Sequence, residues 1–155
     1  MKNTLREQLN YCKKSGWFPL FEQAAKDHQL ELSMLLAIAS RETNIRNIIG
    51  DAGHGRGIMQ IDDRSHKEFL RDHHNNGGLN PETNIDYGAS VLAQNLKIFR
   101  GNYANAIAAY NTGTGNVKKS LVTGKHPDTT TAHGNYGADV INRASIFKEL
   151  IAESE

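Results

Sequence analysis

Leu32 to Ala39 is an almost unbroken apolar run whose side chains occupy every side of a helical wheel, which predicts a helix buried in the middle of a domain. On that helix Leu35, Ile38, Ala39 and Glu42 share one face, so a carboxyl group continues an apolar stripe. Such a group is expected to titrate high. After Glu42 the pattern changes: residues 50–57 carry four glycines, and Ile58-Met59-Gln60-Ile61-Asp62 alternates apolar with polar, which reads as a short strand. The glycines permit backbone conformations and close approaches closed to other residues.

The same reasoning partitions the rest of the chain. Residues 3–14 read as a polar amphipathic helix stopped at Ser15-Gly16, and Pro19 suits the first turn of a helix reaching about His28. Trp17 reads as a packing aromatic before a sugar platform. Ser65 as N-cap with Glu68 three residues on predicts a capping box and a helix ending before Asn75. Asn80-Pro81-Glu82 starts a helix to about Phe99 with Ile85, Gly88, Ala89, Leu92, Leu96 and Phe99 on one stripe. Residues 102–111 form a small-residue helix, 111–116 a second glycine loop, and 117–122 one or two helical turns. Residues 123–134 read as irregular and mobile, and 135 to about 152 as a closing helix with Val140, Ile141, Ala144, Phe147 and Leu150 or Ile151 inward. The expected class is mainly α, or α+β with minimal β: about seven helices and a small β-ribbon in a single domain over 1–155.

Composition narrows the function. The 155 residues suffice for a core without staples, and a formal charge of +1 offers no field for nucleic acid or an anionic membrane. No run reaches a membrane span, and the N-terminus lacks the apolar centre and cleavage site of a signal peptide. One cysteine, Cys12, permits no internal disulfide. His73 and His74 have no cysteine, and no histidine at i+4 on the same face, to complete a metal site; they read as a solvated helix end. No metal or cofactor is expected.

The stretch from Glu42 to Asp62 therefore delivers three carboxylates, at the end of a buried helix, on a glycine loop and at the end of a strand. A desolvated acid beside ionised carboxylates is what breaking a glycosidic bond requires. Glu42 would hold its proton near neutral pH for the leaving oxygen, and a second carboxylate would hold a water on the opposite face of the sugar. The plainer alternative pairs Glu42 with Arg41 or Arg46 and makes Asp51 and Asp62 turn residues.

Ser40-Arg41-Glu42, the run Gly50 to Asp62, and Arg64-Ser65-His66 together resemble the active-site region of goose-type lysozymes. Residues 109–117 resemble that family's second signature and 136–140 its third, in the same order. The resemblance implies a lysozyme-like fold and cleavage of the β-1,4 bond between N-acetylmuramic acid and N-acetylglucosamine. It also implies Glu42 as catalytic acid and Asp51 and Asp62 as holders of the water. Gln60, His66, Tyr110, Asn111 and Tyr136 match groove-lining residues, and Met59 would shape the groove floor. Implied partners are bacterial peptidoglycan and a proteinaceous lysozyme inhibitor, with a monomer acting on the wall outside the cell or in the periplasm. Without a leader, release through a holin or secretion machine, or removal of a leader, would deliver it.

Two departures bear on the outcome. The segment from Glu42 to Gly57-Ile58-Met59-Gln60 is shorter than in vertebrate goose-type enzymes, and its length resembles that of soluble lytic transglycosylases, which share the fold. The disulfide cysteines are missing. Transglycosylases use the sugar's own hydroxyl and need no water-holding carboxylate, so Asp51 with Asp62 argues for inverting hydrolysis. Transglycosylation and a non-catalytic wall-binding module stand as the alternatives.

Overall fold

The computed structural model describes residues 1–72 and 76–155; His73, His74 and Asn75, and with them the reading of the two histidines, lie outside the described residues. α1 (Lys2–Lys14) buries Leu5, Leu9 and Cys12 along one stripe, and α2 (Phe18–Asp27) carries Pro19 in its first turn. α3 (Leu32–Thr43) is the apolar run, with Leu35 through Ser40 all buried. It stops because Asn44 turns left-handed, returning its N–H to Ser40 (2.9 Å) while that of Ile45 reaches Ala39 (3.2 Å). Trp17 packs edge-on to Tyr11 at 5.6 Å between centroids, a packing role.

Three two-residue strands follow, β1 (Ile49–Gly50), β2 (Gly55–Arg56) and β3 (Ile61–Asp62), antiparallel in the order β1-β2-β3. Gly55 faces Gly50 on one side and Asp62 on the other. The strand expected over 58–62 is thus only its last two residues. Ile58 and Met59 are both fully buried in a turn, so the alternation there does not sort side chains between two faces.

α4 (Lys67–Asp72), α5 (Pro81–Ile98), α6 (Tyr103–Thr112), α7 (Thr114–Val122) and α8 (Tyr136–Glu153) complete eight α-helices among the described residues. α4 begins two residues after Ser65, which displaces the expected capping box; Glu68 instead accepts the Tyr87 hydroxyl at 2.6 Å. Asn80 and Asn102 cap α5 and α6, accepting from the N–H groups of Thr83 (3.1 Å) and Asn105 (3.0 Å). The second glycine loop shrinks to Gly113, whose φ of +91° separates α6 from α7 directly.

Residues 123–134, expected to be irregular and mobile, hold two 3-10 turns at Pro127–Thr130 and Ala132–Gly134. Asp128 is 2% exposed. Its carboxylate accepts the N–H groups of Gly137 (2.7 Å) and Ala138 (3.0 Å), satisfying the first turn of α8, and the Thr131 hydroxyl at 3.1 Å. α3 packs chiefly along α8 and also on α2, and α5 on α6 and α2, around a core running from Leu5 to Leu150. No helix among the described residues is long and apolar enough to cross a membrane.

Candidate active site

Glu42 lies in the last turn of α3, where the apolar stripe brings its half-buried carboxyl against α8. The Tyr136 hydroxyl donates to Glu42 Oε2 at 2.5 Å. Burial raises the Glu42 pKa to about 7; the Tyr136 hydrogen bond and the Arg41 charge offset part of the rise, and the Asp51 charge adds to it. Neither arginine of the plainer reading bridges this carboxyl. Arg41 pairs with Asp139 at 2.8 Å, and Arg46 lies 4.0 Å over the Tyr11 ring.

Asp51 and Asp62 are brought together across the ribbon by a residue to which the sequence assigned no role. One guanidinium nitrogen of Arg64 stands 2.7 Å from Asp51 Oδ2 and 2.7 Å from Asp62 Oδ2. Arg64 also binds Asp62 Oδ1 through its backbone N–H (2.8 Å) and Nε (3.1 Å). Those Arg64 bonds hold the Asp62 pKa down at about 2 against the opposing effect of partial burial. The charged ribbon corner is strained: Asp51, Ala52 and Gln60 all have left-handed backbones, with φ of 49°, 53° and 50°.

The glycines of this corner make room for a side chain of the protein itself. A Cβ on Gly50 or Gly55 would collide with the Gln60 amide, which donates to the carbonyls of Ile48 (3.1 Å) and Gly57 (2.9 Å). Asn84, fully buried on α5, ties the corner down: it accepts the Met59 N–H at 2.8 Å and donates to the carbonyls of Arg56 (2.8 Å) and Gly78 (3.0 Å). An amide beside Ile85 on the apolar stripe was the sequence signal for that role.

A cleft of about 330 Å³ opens beside the corner, lined by Gln60, Asp62, His66, Tyr110, Asn111 and Thr112 among others. His66 is held by the Tyr87 hydroxyl at 3.1 Å, Asn111 accepts the Ala132 N–H at 2.9 Å, and the Tyr110 hydroxyl donates to the Met59 carbonyl at 2.7 Å. Glu42 and Asp51 are not among the residues lining this cleft; burial raises the pKa of Tyr110, which does line it, and the Glu42 charge raises it further. Two groove expectations change. Met59 is fully buried, its side chain packed where Gly88 leaves space, and it meets the cleft only through the Tyr110 hydroxyl bonded to its carbonyl. Tyr136 is 1% exposed and touches Glu42 from behind, so it does not present a face to the cleft.

The chemistry available is a protonatable acid near pH 7 within reach of the Asp51 charge, and an Asp62 that Arg64 holds ionised, two carboxyl groups whose environments push their pKa values apart. Residues 19–132 match the sequence profile of the family described as "Transglycosylase SLT domain". The chain is 27% identical to lysozyme g of Struthio camelus, an alignment covering 96% of this chain and 80% of that protein. It is 32% identical to lysozyme g of Gallus gallus over 77% of this chain and 58% of that one. Among solved structures it resembles the lytic transglycosylase Slt of Pseudomonas aeruginosa, an inactive mutant, with a TM-score of 0.73 and 26% identity over 86% of this chain. The chain corresponds to 24% of that transglycosylase's length.

Proposed function

The chain belongs to the transglycosylase SLT domain family, and we propose that residues 1–155 act as one catalytic domain cutting the β-1,4 bond between N-acetylmuramic acid and N-acetylglucosamine in peptidoglycan. The place of action is the bacterial wall, outside the cell or in the periplasm. The observation that carries this reading is Glu42, a carboxyl on an apolar helix face with its pKa raised to about 7 and Asp51 near enough to act on it.

In the proposed reaction Tyr136 occupies Oε2, so the transferable proton sits on Glu42 Oε1, to which no described residue is bonded. That proton passes to the glycosidic oxygen as the bond to the muramic C1 breaks, leaving Glu42 ionised. A water on the opposite face attacks C1, giving its proton toward Asp51 while Asp62, fixed by Arg64, orients it; the configuration inverts. The lysozyme g relatives, aligned over most of their length, support hydrolysis.

A second reading has an observation of its own. Arg64 already bridges both aspartates and offsets one of their two charges, which weakens their hold on water and favours attack by the sugar's own C6 hydroxyl. Mass spectrometry of digested peptidoglycan separates the two. Reducing muramic ends are expected; products lighter by one water, the 1,6-anhydro ends, would make the enzyme a transglycosylase.

The pH dependence follows from the direction of the Glu42 shift. The active form is protonated, so kcat/KM is expected to be level through the acid side and to fall as pH rises through about 7, by about tenfold per pH unit beyond it. A pH–rate profile on soluble glycan strands checks this, and a limb near the ordinary glutamate value would remove Glu42 from the role.

A further inference from the structure

Behind Glu42 lies a set of charges that the reaction does not touch. The Arg41 guanidinium lies over the Tyr136 ring, 5.2 Å from its centroid. It is 15% exposed and pinned on its other edge by Asp139 Oδ2 (2.8 Å), the Ala132 carbonyl (3.3 Å) and Asn135 Oδ1 (3.3 Å). Arg143 holds the same Asp139 oxygen at 2.9 Å and reaches the buried Ser40 hydroxyl at 2.8 Å, which donates to Gln8 of α1 at 2.6 Å. Arg41 alone touches the ring whose hydroxyl fixes one oxygen of the acid, and Asp139, Asn135, Arg143, Ser40 and Gln8 tie Arg41 directly or through one another to α1, α3 and α8.

We propose that Arg41, clamped by Asp139 and Arg143, is a positioning residue that holds Tyr136 against Glu42 Oε2 and thereby keeps Oε1 aimed at the substrate. The inference rests on Glu42 being the proton donor. A guanidinium suits the task because it is flat enough to stack on a ring while its edge forks to several acceptors; an ammonium group is not. The groups facing Glu42 are Tyr136 from α8, Tyr110 from α6, Asp51 from the ribbon and Arg41 from α3 itself. Arg41 lowers the Glu42 pKa, opposing burial. Burial pushes Asp139 up, but hydrogen bonds from Arg41 and Arg143 outweigh it and hold Asp139 ionised below its usual range.

Steady-state kinetics across pH on soluble glycan strands test this with three variants. Arg41→Gln is expected to lower kcat by about 30-fold with KM nearly unchanged, since a small misplacement of a reacting group has that scale of effect. Its alkaline limb moves to higher pH because a positive charge near the acid is gone. Asp139→Asn leaves the arginine charges uncompensated, so its limb moves to lower pH while kcat again falls. Arg41→Lys keeps the charge and not the fork, so it restores the limb and leaves kcat reduced.

Parental kcat and limb in Arg41→Gln overturn the proposal, as do limbs moving the same way in Arg41→Gln and Asp139→Asn. If Arg41→Gln does not fold, Asp139→Asn decides alone, and a parental profile there overturns it. Glu42→Gln is run beside them: if that variant cleaves normally, the acid assignment itself fails, whereas an inactive Glu42→Gln with a parental Arg41→Gln discards only the positioning role.

Discussion

Glu42→Gln is expected to lower peptidoglycan cleavage by about 10³-fold, within the range that general acid catalysis contributes. Glutamine keeps the size of the side chain and an oxygen for the Tyr136 hydroxyl, so the change removes the proton and little else. The same variant has a stability signature that a merely inactive protein would lack. The Glu42 pKa in the folded protein, about 7, lies above its unfolded value of 4.5, so between those values the folded state holds a proton that the unfolded chain has released. Stability contributed by that proton is complete below pH 4.5 and lost as pH rises through 7, where the charge must be carried half-buried. Glutamine removes that penalty. Glu42→Gln should match the parent at pH 4 and exceed it at pH 8 by about 3 kcal/mol, read as a higher Tm. A variant equally stable at both pH values relative to the parent would mean the carboxyl is not desolvated. Full lytic activity would leave only wall binding as the role of Glu42.

Asp128→Ala should be the most destabilising single substitution outside the apolar core. It strips the buried acceptor from Gly137 N–H and Ala138 N–H at once, while the Thr131 hydroxyl falls back on the Asp128 backbone carbonyl at 3.0 Å. Buried donors left without partners cost about 3 kcal/mol in sum, a fall in Tm of roughly 10 °C for a chain of this size. Gly137 is also committed to this contact. A Cβ there would meet Asp128 Oδ1 at 3.0 Å and the Ala104 carbonyl at 3.3 Å, so beside an intact Asp128 the position is tight for any larger residue. Because the capped turn carries Tyr136, kcat should drop along with Tm. Asp128→Asn retains one acceptor oxygen and should lose about half as much stability. A thermal melt of Asp128→Ala within 2–3 °C of the parent would show that solvent satisfies the α8 amides, which requires the segment at 123–134 to open; a shift of about that size is what 1 kcal/mol produces.

The mistakes in reading the sequence share a physical origin with these two predictions. The segment 123–134 looked loose because its glycine, proline and threonines say nothing about a carboxylate buried at 2% exposure. Its order comes from the amides of a helix that starts eight residues after Asp128. The family resemblance assigns Tyr136 to the groove, and Met59 reads as shaping its floor. Met59 turns inward since Gly88 on α5 leaves the space it fills, and Tyr136 is enclosed by Arg41 and Glu42. The glycine loop reads as permitting close approaches, and the group that approaches Gly50 and Gly55 is the protein's own Gln60 amide.

What the sequence by itself determined is the set of helices and the chemistry offered at the end of α3. Apolar periodicity and the cap at Asn80 act over a turn or two of chain, so they are local and legible. The same periodicity put Glu42 on a buried face and so forecast its raised pKa. Only the tertiary structure decided which groups stand around that acid. Tyr136 reaches it from 94 residues away, Arg41 meets Asp139 across 98, and Arg64 joins two aspartates that the ribbon folds together. No periodicity encodes such meetings, because they depend on how α3 packs along α8 and how three two-residue strands turn, and both are settled by the whole core at once.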